Sequence, residues 1–94
     1  MRLVWTAPAL RDLAAARAYI AQDNPSAADR QVQLDLAAVG NLLRFPEIER
    51  VGRRSGTLEL VINRTPYIAA YHLRGDQIEV LRIIHGRQRW PDAF

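Results

Sequence analysis

Three runs of strand-forming residues, packed close together in the second half of the chain, constrain the fold more than any other feature. Residues 57–63, 67–73 and 77–84 are dense in Val, Ile, Leu and Tyr, side chains that suit a pleated, half-buried surface. The separators Arg64-Thr65-Pro66 and Arg74-Gly75-Asp76 carry turn residues, and connections this short join antiparallel neighbours. A tight meander is expected. In its last strand, alternation sets Ile78, Val80 and Ile84 on one face with Arg82, and Leu81 and Ile83 on the other with Glu79. The meander stops on His85-Gly86-Arg87-Gln88-Arg89-Trp90-Pro91. Strand pairing then gathers Arg64, Arg82, His85, Arg87 and Arg89 around one small sheet, where guanidinium forks can grip carboxylates or phosphates.

The first half reads differently. Leu3-Val4-Trp5 is a short strand, Thr6 an N-cap, and Pro8 falls in the first helical turn, where its missing N–H costs little. Trp5 and Leu10 occupy the hydrophobic-staple positions around that cap. Leu10, Leu13, Ala14, Ala18 and Ile20 form the apolar face of a helix expected to end near Gln22 or Asp23. Asn24-Pro25-Ser26 restarts the pattern: either Asn24 caps with Pro25 at the first helical position, or Ser26 caps with Asp29 three residues on. Ala28, Val32, Leu36, Val39 and Leu43 keep helical spacing up to Phe45-Pro46. So short a connection makes an antiparallel helical hairpin. Residues 46–55 are polar and read as a loop. The element order β-α-α-β-β-β defines an α+β domain, with the helical hairpin packed on a mainly antiparallel sheet.

Composition narrows the class. Ninety-four residues suit one domain spanning 1–94, large enough for a single core. The chain has no cysteine, so neither disulfides nor thiol-ligated metal supplement that core, which suits a reducing cytoplasm. Its N-terminus lacks the long apolar stretch of a signal peptide or membrane span. All thirteen basic residues are arginine, and against ten acids they leave a net charge of +3. That excess permits an acidic or nucleic-acid partner without selecting one. Two short helices cover one face of a sheet, so apolar surface is expected to remain on the other face or in the groove beside the helices. Such surface marks a protein partner, unless residues 46–55 and Trp90 fold over it.

His85, Arg82, Arg87 and Tyr71 are the residue types of a metal-independent ribonuclease, with an acid or base and guanidiniums for the scissile phosphate. Their spacing alone does not specify that chemistry, and a histidine ending an apolar strand commonly bonds to backbone instead. With two histidines and no close cluster of acids, no metal site is expected. No Gly-rich phosphate loop, nucleophile elbow or nucleotide fingerprint occurs, so no cofactor is expected. Tyr67 and Tyr71 share a strand face, as core or edge aromatics. No sequence-specific nucleic-acid reader is recognisable.

A set of short motifs, in order along nearly the whole chain, resembles the ParE branch of the RelE/ParE toxins. They are Trp5, Ala9-Leu10-Arg11-Asp12-Leu13 with Tyr19-Ile20, Asn24-Pro25-Ser26-Ala27-Ala28, Phe45-Pro46, Gly52-Arg53, Pro66-Tyr67-Ile68, Leu81-Arg82-Ile83-Ile84-His85-Gly86 and Trp90-Pro91. The resemblance implies the same β-α-α-β-β-β fold and the toxin half of a type II toxin–antitoxin module. RelE-like members cleave mRNA in the ribosome, whereas ParE-like members poison DNA gyrase. Ribonuclease members carry an arginine where this chain has Ile68, and an aromatic hydroxyl near the C-terminus where it ends in Ala93-Phe94. Arg87 does match a ribonuclease arginine. The departures imply a non-enzymatic gyrase inhibitor, with a ribosome-dependent mRNA endonuclease or an inactive antitoxin-binding module as the alternatives.

The resemblance names a target without naming contact residues, so these are set by local character. Arg82, His85, Arg87, Arg89 and Trp90 form the expected target-binding set. An extended terminal segment would direct Arg87 and Arg89 to one side and leave Trp90 as a packing anchor. A ParD-like antitoxin, implied by the resemblance, is expected on the helical hairpin and the neighbouring sheet. Leu10, Leu13, Ala14 and Leu36 would supply its groove, and Arg11, Arg17, Arg53 and Arg54 its charge for an acidic peptide.

Overall fold

Short connections dictate most of the topology in the computed structural model of the chain, which describes residues 1–46, 50–51 and 56–91. The order is β1 (Arg2–Trp5), α1 (Ala7–Ala21), α2 (Pro25–Gly40), a 3₁₀ turn (Asn41–Leu43), β2 (Arg50–Val51), β3 (Leu58–Val61), β4 (Tyr67–Arg74) and β5 (Gln77–His85). The sheet runs β1-β5-β4-β3-β2. The expected meander is present as β3-β4-β5, and β1 joins it in parallel beside β5, with Leu3 opposite Ile78 and Trp5 opposite Val80. The segment read as a loop between Pro46 and Ser55 contributes the two-residue β2, paired to Leu58 and Glu59. The hairpin at Gly75-Asp76 is a two-residue turn, and Gly75 takes the φ of 60° that such turns need.

Both helices start as their caps dictate. Thr6 accepts a hydrogen bond on Oγ1 from the Ala9 amide. At α2 the Asn24 alternative holds, with Oδ1 accepting from Ala27 and Pro25 at the first helical position. Their buried faces differ from expectation. In α1 the fully buried positions are Ala9 and Ala16, whereas Leu10 is 51% exposed and Ala14 and Ala18 also face solvent. In α2 the buried stripe is Ala28, Gln31, Asp35 and Val39, and Leu36 is 42% exposed. The reason is packing distance: alanines let the hairpin sit close on the sheet, so the leucines flanking each stripe are turned outward.

Two apolar clusters sandwich the sheet. Ala9, Val39 and Leu42 pack on Leu60, Ile62, Ala69, Tyr71, Ile78, Val80 and Ile83 beneath the helices. Ile68, Ala70, Ile84 and Trp90 form a second cluster on the opposite face. Each fully buried Ile or Val contributes about 1.5–3 kcal/mol relative to exposure. Strict alternation in β5 fails because a register shift opposes Ala70 to Arg82 and Tyr71 to Val80, skipping Leu81. Ile83 thereby joins Ile78 and Val80 under the helices, and Ile84 goes to the far face.

Where β1 ends, side chains from α1 and the C-terminal segment take over the edge of β5. The Thr6 hydroxyl lies 2.7 Å from the Val80 carbonyl and 3.2 Å from that of Leu81. Asp12 accepts from the Ile83 amide at 2.9 Å, and Gln88 Oε1 from the His85 amide at 3.3 Å. These bonds satisfy backbone groups that a sixth strand would otherwise meet. Among the described residues no helix is long and apolar enough to cross a membrane.

Candidate functional site

Three chain segments converge at one end of the sheet: the β3–β4 turn, the start of β4 and the end of β5. Tyr67 lies opposite His85 in the β4–β5 register, and their rings meet edge to face with centroids 5.6 Å apart. The Gly86 amide donates to the Pro66 carbonyl at 2.8 Å, closing the corner. A Cβ at position 86 would lie 3.4 Å from that carbonyl oxygen, so a side chain there is tight. A small pocket of about 220 Å³ opens beside this corner, lined by Asp12, Ala16, Tyr67, Ile83, His85 and Gln88.

The segment after His85 is a turn, not an extended strand. The Gln88 amide donates to the His85 carbonyl at 2.9 Å, and the Arg87 amide donates to His85 Nδ1 at 3.1 Å. The expected alternation of Arg87 and Arg89 therefore fails, because the chain reverses after His85 and the His85 ring holds the turn by accepting the Arg87 amide. Both arginines are exposed on this turn. Trp90 is 6% exposed and packs on Ile68, Ala70 and Ile84, so its ring anchors the turn to the far face of the sheet.

Protonation at this corner follows from the bonds. A neutral imidazole has one lone-pair nitrogen, and at His85 that nitrogen, Nδ1, accepts from backbone. In that tautomer Nε2 is the ring's donor. Arg82, expected at the target surface, is bound by Asp12: Nε lies 2.6 Å from Oδ2, and Nη2 3.0 Å from Oδ1. That bidentate grip raises the guanidinium's pKa further, against the opposing effect of burial. The Tyr67 hydroxyl is pushed above its ordinary pKa by burial first, then by the nearby carboxyl of Asp35 and by Tyr19.

Sequence reasoning missed Asp12, Gln88 and Asp35. Asp35 is fully buried, with Oδ1 accepting from Gln31 at 2.9 Å and Oδ2 without a partner. Burial raises its pKa from 3.8 to about 6, partly offset by the Gln31 hydrogen bond. A polar pair four residues apart, inside the apolar stripe of α2, was the available signal.

The residues expected to meet an antitoxin fall along the seam of the helical hairpin. An ion pair between Arg17 of α1 and Asp29 of α2, 3.0 Å apart, bridges the two helices on the surface. Leu10 and Leu36 are both exposed, and Leu13 is half-buried beside them. Arg11 is exposed on the same helix. Arg53 and Arg54 lie outside the described residues, as do Ala93 and Phe94.

A family model described as "ParE toxin of type II toxin-antitoxin system, parDE" matches residues 3–90. The chain belongs to this ParE toxin family. The protein described as "Putative toxin Y4kP" of Sinorhizobium fredii is 42% identical over 93 residues, covering 99% of this chain and 96% of the relative. "Toxin RelE2" of Caulobacter vibrioides is 34% identical, covering 89% and 93%. A solved chain described as "Chromosomal ParDE TA system from P. aeruginosa" superposes with a TM-score of 0.82 at 30% identity, over 90% of this chain and 95% of that one. As a ParE-family toxin of a type II toxin–antitoxin system, this protein has an antitoxin for a partner.

Proposed function

We propose that this ParE-family toxin is a single-domain cytoplasmic protein that acts without catalysis, binding DNA gyrase and stalling its cleaved-DNA intermediate until a ParD-like antitoxin occupies the hairpin seam. One observation carries the non-catalytic part: at the His85 corner the two groups suited to act as a general base, the His85 ring and the Asp12 carboxylate, are already committed. The His85 lone pair is taken by the Arg87 amide, and the Asp12 carboxylate holds Arg82 and the Ile83 amide. A general base must have a free lone pair within reach of the proton it removes. Ile68, at the position where ribonuclease members carry arginine, is buried among Ala70, Ile84 and Trp90. What remains outward is cationic: Arg87 and Arg89. Such a surface recognises acidic groups on a protein or a nucleic-acid backbone without reading base sequence.

A second reading, ribosome-dependent mRNA cleavage, is favoured by the relative named RelE2 and by Arg87 at a ribonuclease position. A third is an inactive chain that retains antitoxin binding. Induced expression separates them. A DNA-damage response and filamentation with intact mRNA agrees with gyrase poisoning. Rapid, codon-positioned mRNA cleavage with normal gyrase activity overturns it, and unimpeded growth leaves the inactive module.

A further inference from the structure

Two small hollows of different character adjoin the turn after His85. The first is the pocket of about 220 Å³, where Asp12, Ala15 and Ala16 of α1 meet Tyr67 and Gln88. The second, of about 320 Å³, is lined by Arg82, Gln88, Arg89, Trp90 and Pro91. Gln88 belongs to both. The Asp12–Arg82 pair joins them as well, with the carboxylate lining one hollow and the guanidinium the other.

The first hollow suits a flat ring with a polar edge. Tyr67 is half-buried there and braced edge to face by His85, and two alanines leave the room that larger side chains would fill. Asp12, Ala15, Ala16 and Tyr19 recur at helical spacing, so they share one stripe of α1. Tyr19 is 73% exposed and close enough to act on the Tyr67 hydroxyl, which sets a second phenol at the rim. Asp12 accepts two of its hydrogen bonds on Oδ2 and one on Oδ1. A carboxylate oxygen takes two, so Oδ1 keeps a lone pair. Gln88 uses Oε1 on the His85 amide, and its NH2 makes no hydrogen bond among the described residues. One acceptor and two donors are therefore open. A nucleobase fits this description, with π faces to stack and an edge that mixes N–H donors with acceptors.

The second hollow is cationic. Asp12 engages Nε and Nη2 of Arg82, which fixes the guanidinium plane and leaves both N–H groups of Nη1 to donate. Arg89 is exposed and brings a second guanidinium. Among the described residues no carboxylate lines this hollow. Paired guanidinium forks suit a phosphate.

We propose that the two hollows form one nucleotide site for an unpaired DNA strand, with the base stacked on Tyr67 beside Ala15 and Ala16 and its phosphate held by Arg82 and Arg89. The inference deepens the reading of this corner as the target surface and rests on it. Unpaired nucleotides occur where a duplex is cut and opened, the state that the toxin is read as stalling. Stacking of this kind tolerates any base, in keeping with a chain that carries no sequence-specific reader.

The test measures binding of the purified intact chain to labelled single-stranded oligothymidylate by fluorescence anisotropy, against a strand of equal length made of abasic nucleotides. Both strands carry the same phosphates, so a difference reports the base. The wild type is expected to bind the base-bearing strand about tenfold more tightly. Ala15→Leu fills the first hollow from an exposed helical position, so the melting temperature holds while that preference disappears. Arg89→Gln weakens both strands alike and lowers the slope of log affinity against log salt by about 0.7. Equal affinity of the wild type for the two strands overturns the inference, whatever the variants do. A preference that survives in folded Ala15→Leu overturns it too. Tighter binding of oligouridylate, or of thymidine monophosphate alone, overturns the assignment to a DNA strand. Growth inhibition is scored separately. If Ala15→Leu loses the base preference yet still arrests growth, the nucleotide site stands and the reading of this corner as the target surface falls.

Discussion

The carboxylate of Asp12 in α1 holds both arms of the Arg82 guanidinium in β5, at 2.6 and 3.0 Å, across seventy positions of sequence. The same carboxylate accepts from the Ile83 amide. Replacing Asp12 with Ala leaves a partly buried guanidinium and a backbone N–H unsatisfied, and should cost about 2–4 kcal/mol. Denaturant unfolding measures the loss. In a double-mutant cycle with Arg82→Ala, the two losses should fall well short of adding, because each removes the same interaction.

Asp35 gives the fold a particular response to pH. Its folded pKa of about 6 lies above the ordinary 3.8, so between about pH 4 and pH 6 the native state keeps a proton that the unfolded chain has released. Stability from this group is therefore fully present at low pH, declines as pH rises through 6, and is flat above, a total effect of up to about 3 kcal/mol. Asp35→Asn should stabilise the protein at pH 7 by about 1–2 kcal/mol. The gain is smaller than the full effect because the amide inherits an unpartnered position. At pH 4 the difference should vanish or reverse, which melting curves across that range will show.

Trp90→Ala removes the cover from Ile68, Ala70 and Ile84 and should lower stability by about 3–4 kcal/mol. Trp90→Phe keeps most of that burial and should cost less than half as much. Thermal unfolding of the two variants checks the order.

Arg87→Ala with Arg89→Ala should abolish growth inhibition while the melting temperature and antitoxin affinity stay close to those of the wild type, because both side chains stand in solvent. Toxicity retained by the folded double variant would place the target surface elsewhere.

At His85 the substitution His85→Asn separates binding from catalysis. Asn Oδ1 can accept the Arg87 amide as Nδ1 does, so the turn persists and toxicity is expected to remain within about threefold. A catalytic histidine would lose its activity in that variant. Dose-controlled induction reads the difference.

Much of this architecture was legible because its signals are local. Thr6 and Asn24 mark the helix starts, and the brief separators at 64–66 and 74–76 force β3, β4 and β5 into a meander. What escaped detection depends on residues far apart. The parallel docking of β1 on β5 and the displacement of Leu81 have no local signature. The phase of α1 was misjudged because Leu10 is more apolar than Ala9 or Asp12, yet tight packing favours the alanine, and Arg82 makes the aspartate tolerable at the sheet. The location of the His85–Trp90 segment at the sheet's end was visible in its composition. Its reversal was not, since it rests on a ring nitrogen accepting a backbone proton.

The pairing of β1 with β5 joins Arg2 to Gln77, far apart in sequence, and this fixes an order of events during synthesis. A contact so distant in sequence forms late, and on the ribosome its second half does not exist until β5 has been translated. The helical hairpin, built from neighbouring residues, needs no such wait. The seam proposed for the antitoxin is therefore translated, and able to take shape, before the His85–Arg89 turn proposed for the target has been made. A nascent toxin can thus meet its inhibitor before it can act.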